Sequence, residues 1–133
     1  MSNHLKFYID GAWVDPAKPA TIDVINPATE EAYVKIAAGS AADVDRAVAA
    51  AKKAFPAFTR TDKGERLRLL RRILEIYNRR GEDIARAVSD EMGAPMGWAR
   101  DAQVWAGRVH LEATIKSLED FTFEDQRGET RIV

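Results

Sequence analysis

The chain has 133 residues, 31% of them charged and 46% hydrophobic, with a formal net charge of −1. This balance argues against a disordered tail and against a basic face for nucleic acid, and no stretch reaches the roughly 18 to 20 apolar residues of a membrane span. With no cysteine there is no disulfide, thiolate zinc site or thiol nucleophile, and with no targeting signal the expected setting is cytoplasmic.

The first 36 residues read as β hairpins. Phe7 and Ile9 share one face of a short strand, Asp10-Gly11 supplies the turn, and Trp13 and Val14 resume the apolar pattern. Asp15 to Pro19 is a loop, because its two prolines remove backbone donors. Strand character returns over Thr21 to Ile25, Asn26-Pro27-Ala28-Thr29 turns the chain, and Ala32 to Ile36 pairs back.

At Ser40 the period changes from two to about 3.6. Ser40 with Asp43 three residues later marks a helix start, and Val44, Ala47, Val48, Ala51, Phe55 and Phe58 form an apolar stripe along about 18 residues. Asp62 with Glu65 repeats the capping pattern before a second stripe of Leu67, Leu70, Ile73, Leu74 and Tyr77. Gly81 is expected to break that helix, and Ile84, Ala85, Val88 and Met92 make a third that ends near Gly93. Pro95 suits the first turn of a fourth, running to about Leu118. The fourth carries Trp98, Ala102, Trp105 and Val109 on one face and Val104, Leu111, Ile115 and Leu118 on another, so it is expected to have neighbours on both sides. Phe121 to Glu124 alternates, Asp125 to Gly128 reads as a turn, and Thr130 to Val133 begins a strand, an ending expected of a piece of a longer domain.

Candidates for catalysis are poor. The four serines, Ser2, Ser40, Ser89 and Ser117, lack a nucleophile-elbow setting or an adjacent base. His4 and His110 have no metal-spaced partners and read as structural or solvated. Neither G-x-G-x-x-G nor G-x-x-x-x-G-K-[ST] occurs, so neither phosphate-cradling loop is present. Gly93-Ala94-Pro95-Met96-Gly97 is a helix stop and restart, because a proline and polar flanks rule out a membrane-dimer motif. Arg66, Arg68, Arg71 and Arg72 are interleaved with Glu65, Glu75, Glu82 and Asp83 and read as a solvated face. Asp90-Glu91 places two carboxylates at a helix C-terminus, where a nearby cation or donor is favourable.

In order and spacing, Phe7 to Val14 and Val24 to Glu31, then Asp43 to Phe55, Arg66 to Ile76, Ala85 to Pro95 and Phe121 to Val133, resemble the N-terminal segment of the NAD(P)-dependent aldehyde dehydrogenase superfamily across the whole chain. The resemblance implies an α/β fold class, in which N-terminal β hairpins and about four helices form part of a Rossmann-like cofactor-binding domain that is incomplete here. Residues 1–120 would belong to that domain, with hairpins over 7–36 and helices over about 40–118, and 121–133 would begin an oligomerisation-arm strand. It further implies a parent enzyme that oxidises a small-molecule aldehyde to a carboxylic acid with NAD or NADP, through a cysteine thiohemiacetal and thioester, as a homodimer or homotetramer. The cysteine, the general-base glutamate, the oxyanion-stabilising asparagine and the phosphate-binding helix would all lie downstream, leaving this segment inactive and dependent on the remainder of its own chain. A monovalent cation would be held through the backbone of Val24 and Ile25 and the carboxylate of Glu91, since hard cations take oxygen ligands. Two departures are Asp10, where the family commonly has Asn, and Glu30-Glu31, where Gly-Glu is usual. The alternative reading is a stand-alone helical interaction or scaffolding module without catalysis.

Overall fold

The computed structural model describes residues 3–132. In chain order these form β1 (Phe7–Ile9), β2 (Ala12–Val14), β3 (Thr21–Asn26), β4 (Glu31–Ala37), α1 (Ala41–Phe58), α2 (Lys63–Arg79) and α3 (Gly81–Met92). A single turn, α4 (Met96–Trp98), leads through a π-helical stretch, Ala99–Val104, into α5 (Trp105–Asp120), and β5 (Asp125–Arg127) and β6 (Thr130–Ile132) close the order. Two compact units result, one of residues up to Thr61 with Arg86–Met96, the other of Asp62–Ala85 with residues from Gly97 onward.

In the first unit, β1 and β2 pair antiparallel with Tyr8 opposite Trp13, whose rings meet edge to face at 5.4 Å. Asp10 and Gly11 both have positive φ, 52° and 79°, the geometry of a two-residue turn whose twist matches its strands. β3 and β4 form a second antiparallel pair, closed by Asn26: its backbone carbonyl accepts from Glu30 N–H at 2.8 Å and its side-chain oxygen from Ala28 N–H at 2.8 Å. Glu30 completes this turn at φ 59°, in the left-handed region that glycine occupies without penalty. The expected stripe on α1 forms but is not covered: Val44, Val48, Phe55 and Phe58 are all exposed, Phe55 at 65%. Gly93 ends α3 at φ 70°, and a Cβ there would lie 2.9 Å from Pro27 Cγ, so both backbone and space require glycine.

The second unit is built on α2 packed against α5, with a small interior that includes Leu67, Ala85, Ala99 and Ile115. Asp62 caps α2 as the pattern predicts, accepting from Glu65 N–H at 2.7 Å while Glu65 Oε2 accepts from Asp62 N–H at 2.9 Å. Of the two apolar faces expected on the fourth helix, the one containing Ile115 is packed, whereas Trp98 and Trp105 stand in solvent at 63% and 52%. The expected break after the second helix is present, at Arg80 (φ −102°, ψ 14°), one residue before Gly81, which is the first residue of α3. Two expectations need correction. The fourth helix is not regular, since its first part carries the π stretch. The last turn is at Gly128-Glu129 rather than Asp125 to Gly128, because Gly128 (φ 62°) supplies the left-handed residue and frees Asp125–Arg127 to pair with Thr130–Ile132. Val133 lies outside the described residues.

A glutamate held at positive φ costs about 1 kcal/mol relative to glycine. Glu30→Gly is therefore expected to raise the stability of the first unit by about that amount in denaturant titrations, and a loss of stability would contradict the assignment of strain to this residue.

Candidate functional site

The most densely bonded side chain of the first unit is Asp43, one turn into α1. Sequence pattern accounts for its local role: Asp43 Oδ2 accepts from Ser40 N–H at 2.9 Å and from Ser40 Oγ at 2.7 Å, closing the helix start. Its other oxygen reaches far along the chain, accepting from Ala17 N–H at 2.9 Å and from Arg46 Nη2 at 2.6 Å. Arg46 also donates to the Asp15 carbonyl at 3.0 Å, so loop 15–19 is tied to α1 at two points. Asp43 is 4% exposed, and a carboxylate so enclosed is tolerated because every oxygen is supplied with donors. The Ser40 hydroxyl and amide, then the Ala17 amide, hold its carboxyl far below the ordinary carboxylate range, with partial burial opposing and Arg46 assisting.

A second cluster lies where β3–β4 meets the C-terminal end of α3. The pairing steps from Val24 opposite Val34 to Ile25 opposite Ala32, leaving Tyr33 as an extra residue on β4. Such a bulge re-aims its side chain, and the Tyr33 hydroxyl donates to Glu91 Oε1 at 3.2 Å. Desolvation, the Glu91 charge and this hydrogen bond, and then Asp90, raise the Tyr33 phenol above its ordinary value. Glu91 is thus in contact with the strand pair that contains Val24 and Ile25. The sequence indicated Glu91 as a carboxylate in want of a donor, but Tyr33 carried no signal, because a bulge depends on strand register.

Of the remaining candidates, two serines have structural partners. Ser40 Oγ is spent on Asp43, and Ser89 Oγ donates to the Ala94 carbonyl at 2.7 Å, bracing the turn at Gly93. Ser117 and His110 lie exposed on α5, and His4 is exposed with its backbone carbonyl accepting from Ala37 N–H at 2.9 Å. Ser2 lies outside the described residues. Arg71 and Arg72 pair with Glu119 and Glu75, in keeping with a solvated face, whereas Glu82 pairs with Arg100 outside α2. Among the described residues no group of three His, Asp or Glu side chains stands close enough to hold a metal, and no helix is long and apolar enough to cross a membrane. What these clusters can do chemically is fix loops and helix ends; they bring no nucleophile to a base.

Comparison with known proteins gives a consistent result. Residues 13–130 match the sequence profile of the Aldehyde dehydrogenase family. A Staphylococcus epidermidis protein, named as a candidate aldehyde dehydrogenase, is 44% identical over 133 residues, 100% of this chain and 28% of its own length. The crystal structure of an aldehyde dehydrogenase from Bartonella henselae superposes with a TM-score of 0.92 at 45% identity, covering 97% of this chain and 27% of that one. Aldehyde dehydrogenase C of Pseudomonas syringae, solved as a mutant with NAD+ and octanal, gives 0.93 at 43% identity with the same two shares. The chain therefore spans between a quarter and a third of the length of these relatives.

The depressed carboxyl of Asp43 sets a pH dependence. Its contribution to stability is present above the unfolded carboxyl value of about 3.9 and is lost as pH falls toward the lower folded value. Asp43→Asn, whose amide nitrogen cannot accept, should unfold more readily than the parent at neutral pH, and the gap should close below about pH 4 in unfolding curves. A gap that stays constant down to acid pH would contradict the assigned role.

Proposed function

This chain belongs to the aldehyde dehydrogenase family, and we propose that it forms the N-terminal part of an NAD(P)-dependent enzyme that oxidises an aldehyde to a carboxylic acid. The observation that carries this reading is its surface. A self-contained globular protein of 14.8 kDa exposes about 7,000 Å², and two separate bodies of half that mass about 8,400 Å² in total. This chain exposes 10072 Å². Much of what it exposes is large and apolar, including Trp13, Ile25, Phe55, Phe58, Trp98, Trp105, Phe121 and Phe123. Faces of that kind belong inside a larger body, which disfavours a stand-alone scaffolding module.

Residues 1–120 then serve as the hairpin and helical part of the cofactor-binding domain, and 121–133 lead into an arm that pairs subunits into a homodimer or homotetramer, in a cytoplasmic enzyme. The reaction needs a thiolate that attacks the carbonyl and later leaves from a thioester, and no residue here supplies it. NAD or NADP would accept the hydride; no residue here is assigned to either, since the chain has neither phosphate-cradling loop. Its own residues act by placement: Asp43 anchors loop 15–19 to α1, and Tyr33 ties the β3–β4 pair to the end of α3. Oxygen ligands at Val24, Ile25 and Glu91 suit a monovalent cation, and contact between the two elements that carry them supports that placement.

By itself the 133-residue chain is expected not to reduce NAD+ with octanal, while its fusion to the remainder of the Pseudomonas syringae relative should do so. Turnover by the chain alone would refute the proposal. In that fusion, exchanging potassium for a bulky organic cation should lower the melting temperature of the parent and leave Glu91→Gln unaffected; equal shifts would remove Glu91 from the cation's ligands.

A further inference from the structure

In the second unit, the π-helical stretch Ala99–Val104 interrupts an otherwise α-helical run. Such a stretch steps the backbone ladder from i→i+4 to i→i+5 and takes in one extra residue. The Tyr77 hydroxyl, from the facing helix α2, donates to the Val104 carbonyl at 3.0 Å, at the end of the π stretch. Space for the ring is provided by Gly107: a Cβ there would overlap the Tyr77 hydroxyl and come within 2.8 Å of its Cζ. Ala99, at the other end of the stretch, is 0% exposed, whereas its neighbour Trp98 stands in solvent.

We propose that Tyr77 is a positioning residue, a latch whose hydroxyl holds residues 99–104 in the π register. The register decides which side chains face which way. Removing the extra residue from the ladder turns Gly97–Val104 by about 100° relative to α5, since each helical residue advances by that angle. Such a turn carries Ala99 out of its buried place and a larger neighbour toward it. It also breaks the two-pronged pairing in which Arg100 Nε and Nη2 donate to the two Glu82 oxygens, both at 3.0 Å. In the observed register, Arg100 and Asp101 join Trp105, Arg108 and Asn78 around one cleft of about 270 Å³. Tyr77 therefore governs the composition of that cleft without lining it.

The test is Tyr77→Phe in the protein that carries this chain, a change that keeps the ring and removes only the donor. Amide hydrogen exchange over residues 99–108 is expected to rise roughly five- to tenfold, the effect of one lost hydrogen bond, with exchange in α1 unchanged. A double-mutant cycle between Arg100→Gln and Glu82→Gln should show coupling in the parent and none when Tyr77→Phe is also present. Gly107→Ala, which pushes the ring aside, should reproduce the same local pattern. Exchange that stays unchanged in Tyr77→Phe, or rises evenly through α2 and α5, would overturn the proposal. So would retained coupling between Arg100 and Glu82.

Discussion

Four donors converge on the Asp43 carboxylate, and the arrangement of the first unit depends on them. Loop 15–19 carries two prolines, so it has few backbone donors with which to anchor itself, and one of those it has, Ala17 N–H, is used on Asp43. The same carboxylate closes the start of α1 through Ser40, and Arg46 returns from the next turn of the helix to the Asp15 carbonyl. One side chain thus sets where the helix begins and where the preceding loop lies. In the second unit Tyr77 has a comparable role at Val104: a polar group from one helix supplies a backbone atom of another. Enclosed polar contacts of this kind specify position, because leaving one partner unpaired costs more than the pair contributes when formed.

Such pins matter because apolar burial is scant. Buried apolar surface contributes about 25 cal/mol per Å², and the excess area of this chain over two self-contained bodies of half its mass is about 1,700 Å². If a third of that excess is apolar, covering it is worth on the order of 14 kcal/mol, comparable to the whole net stability of an ordinary domain. On the proposed reading, these helices are completed by surfaces beyond their own units. The α1 stripe and the Trp98–Trp105 face have helical spacing and large apolar side chains but stand in solvent. Their pattern suits the inner face of a larger fold, as proposed above.

Much of the local structure was legible in the sequence because its determinants are local. Asp10-Gly11 fixes a two-residue turn, Ser40 with Asp43 and Asp62 with Glu65 fix two helix starts, and Gly93 fixes a helix end. What escaped depends on partners far along the chain. The link from Asp43 to Ala17 spans 26 residues, that from Tyr77 to Val104 spans 27, and that from Tyr33 to Glu91 spans 58. The π stretch has no sequence pattern of its own; it accompanies a tyrosine, a glycine and an alanine meeting across two helices. Periodicity identified the apolar stripes but not whether they are covered, since the 3.6-residue period reports a face and not its neighbour. Resemblance to a family carried the functional reading further than any site residue did, because the residues present provide placement and not chemistry.

The central claim is that the exposed apolar face of α1 is an internal surface of a larger enzyme. Hydroxyl-radical footprinting of Val44, Val48, Phe55 and Phe58 tests it directly, comparing the chain alone with the same residues joined to the remainder of an aldehyde dehydrogenase relative. The account predicts strong labelling of the four side chains in the chain alone and protection in the joined protein. Equal labelling in both would contradict it.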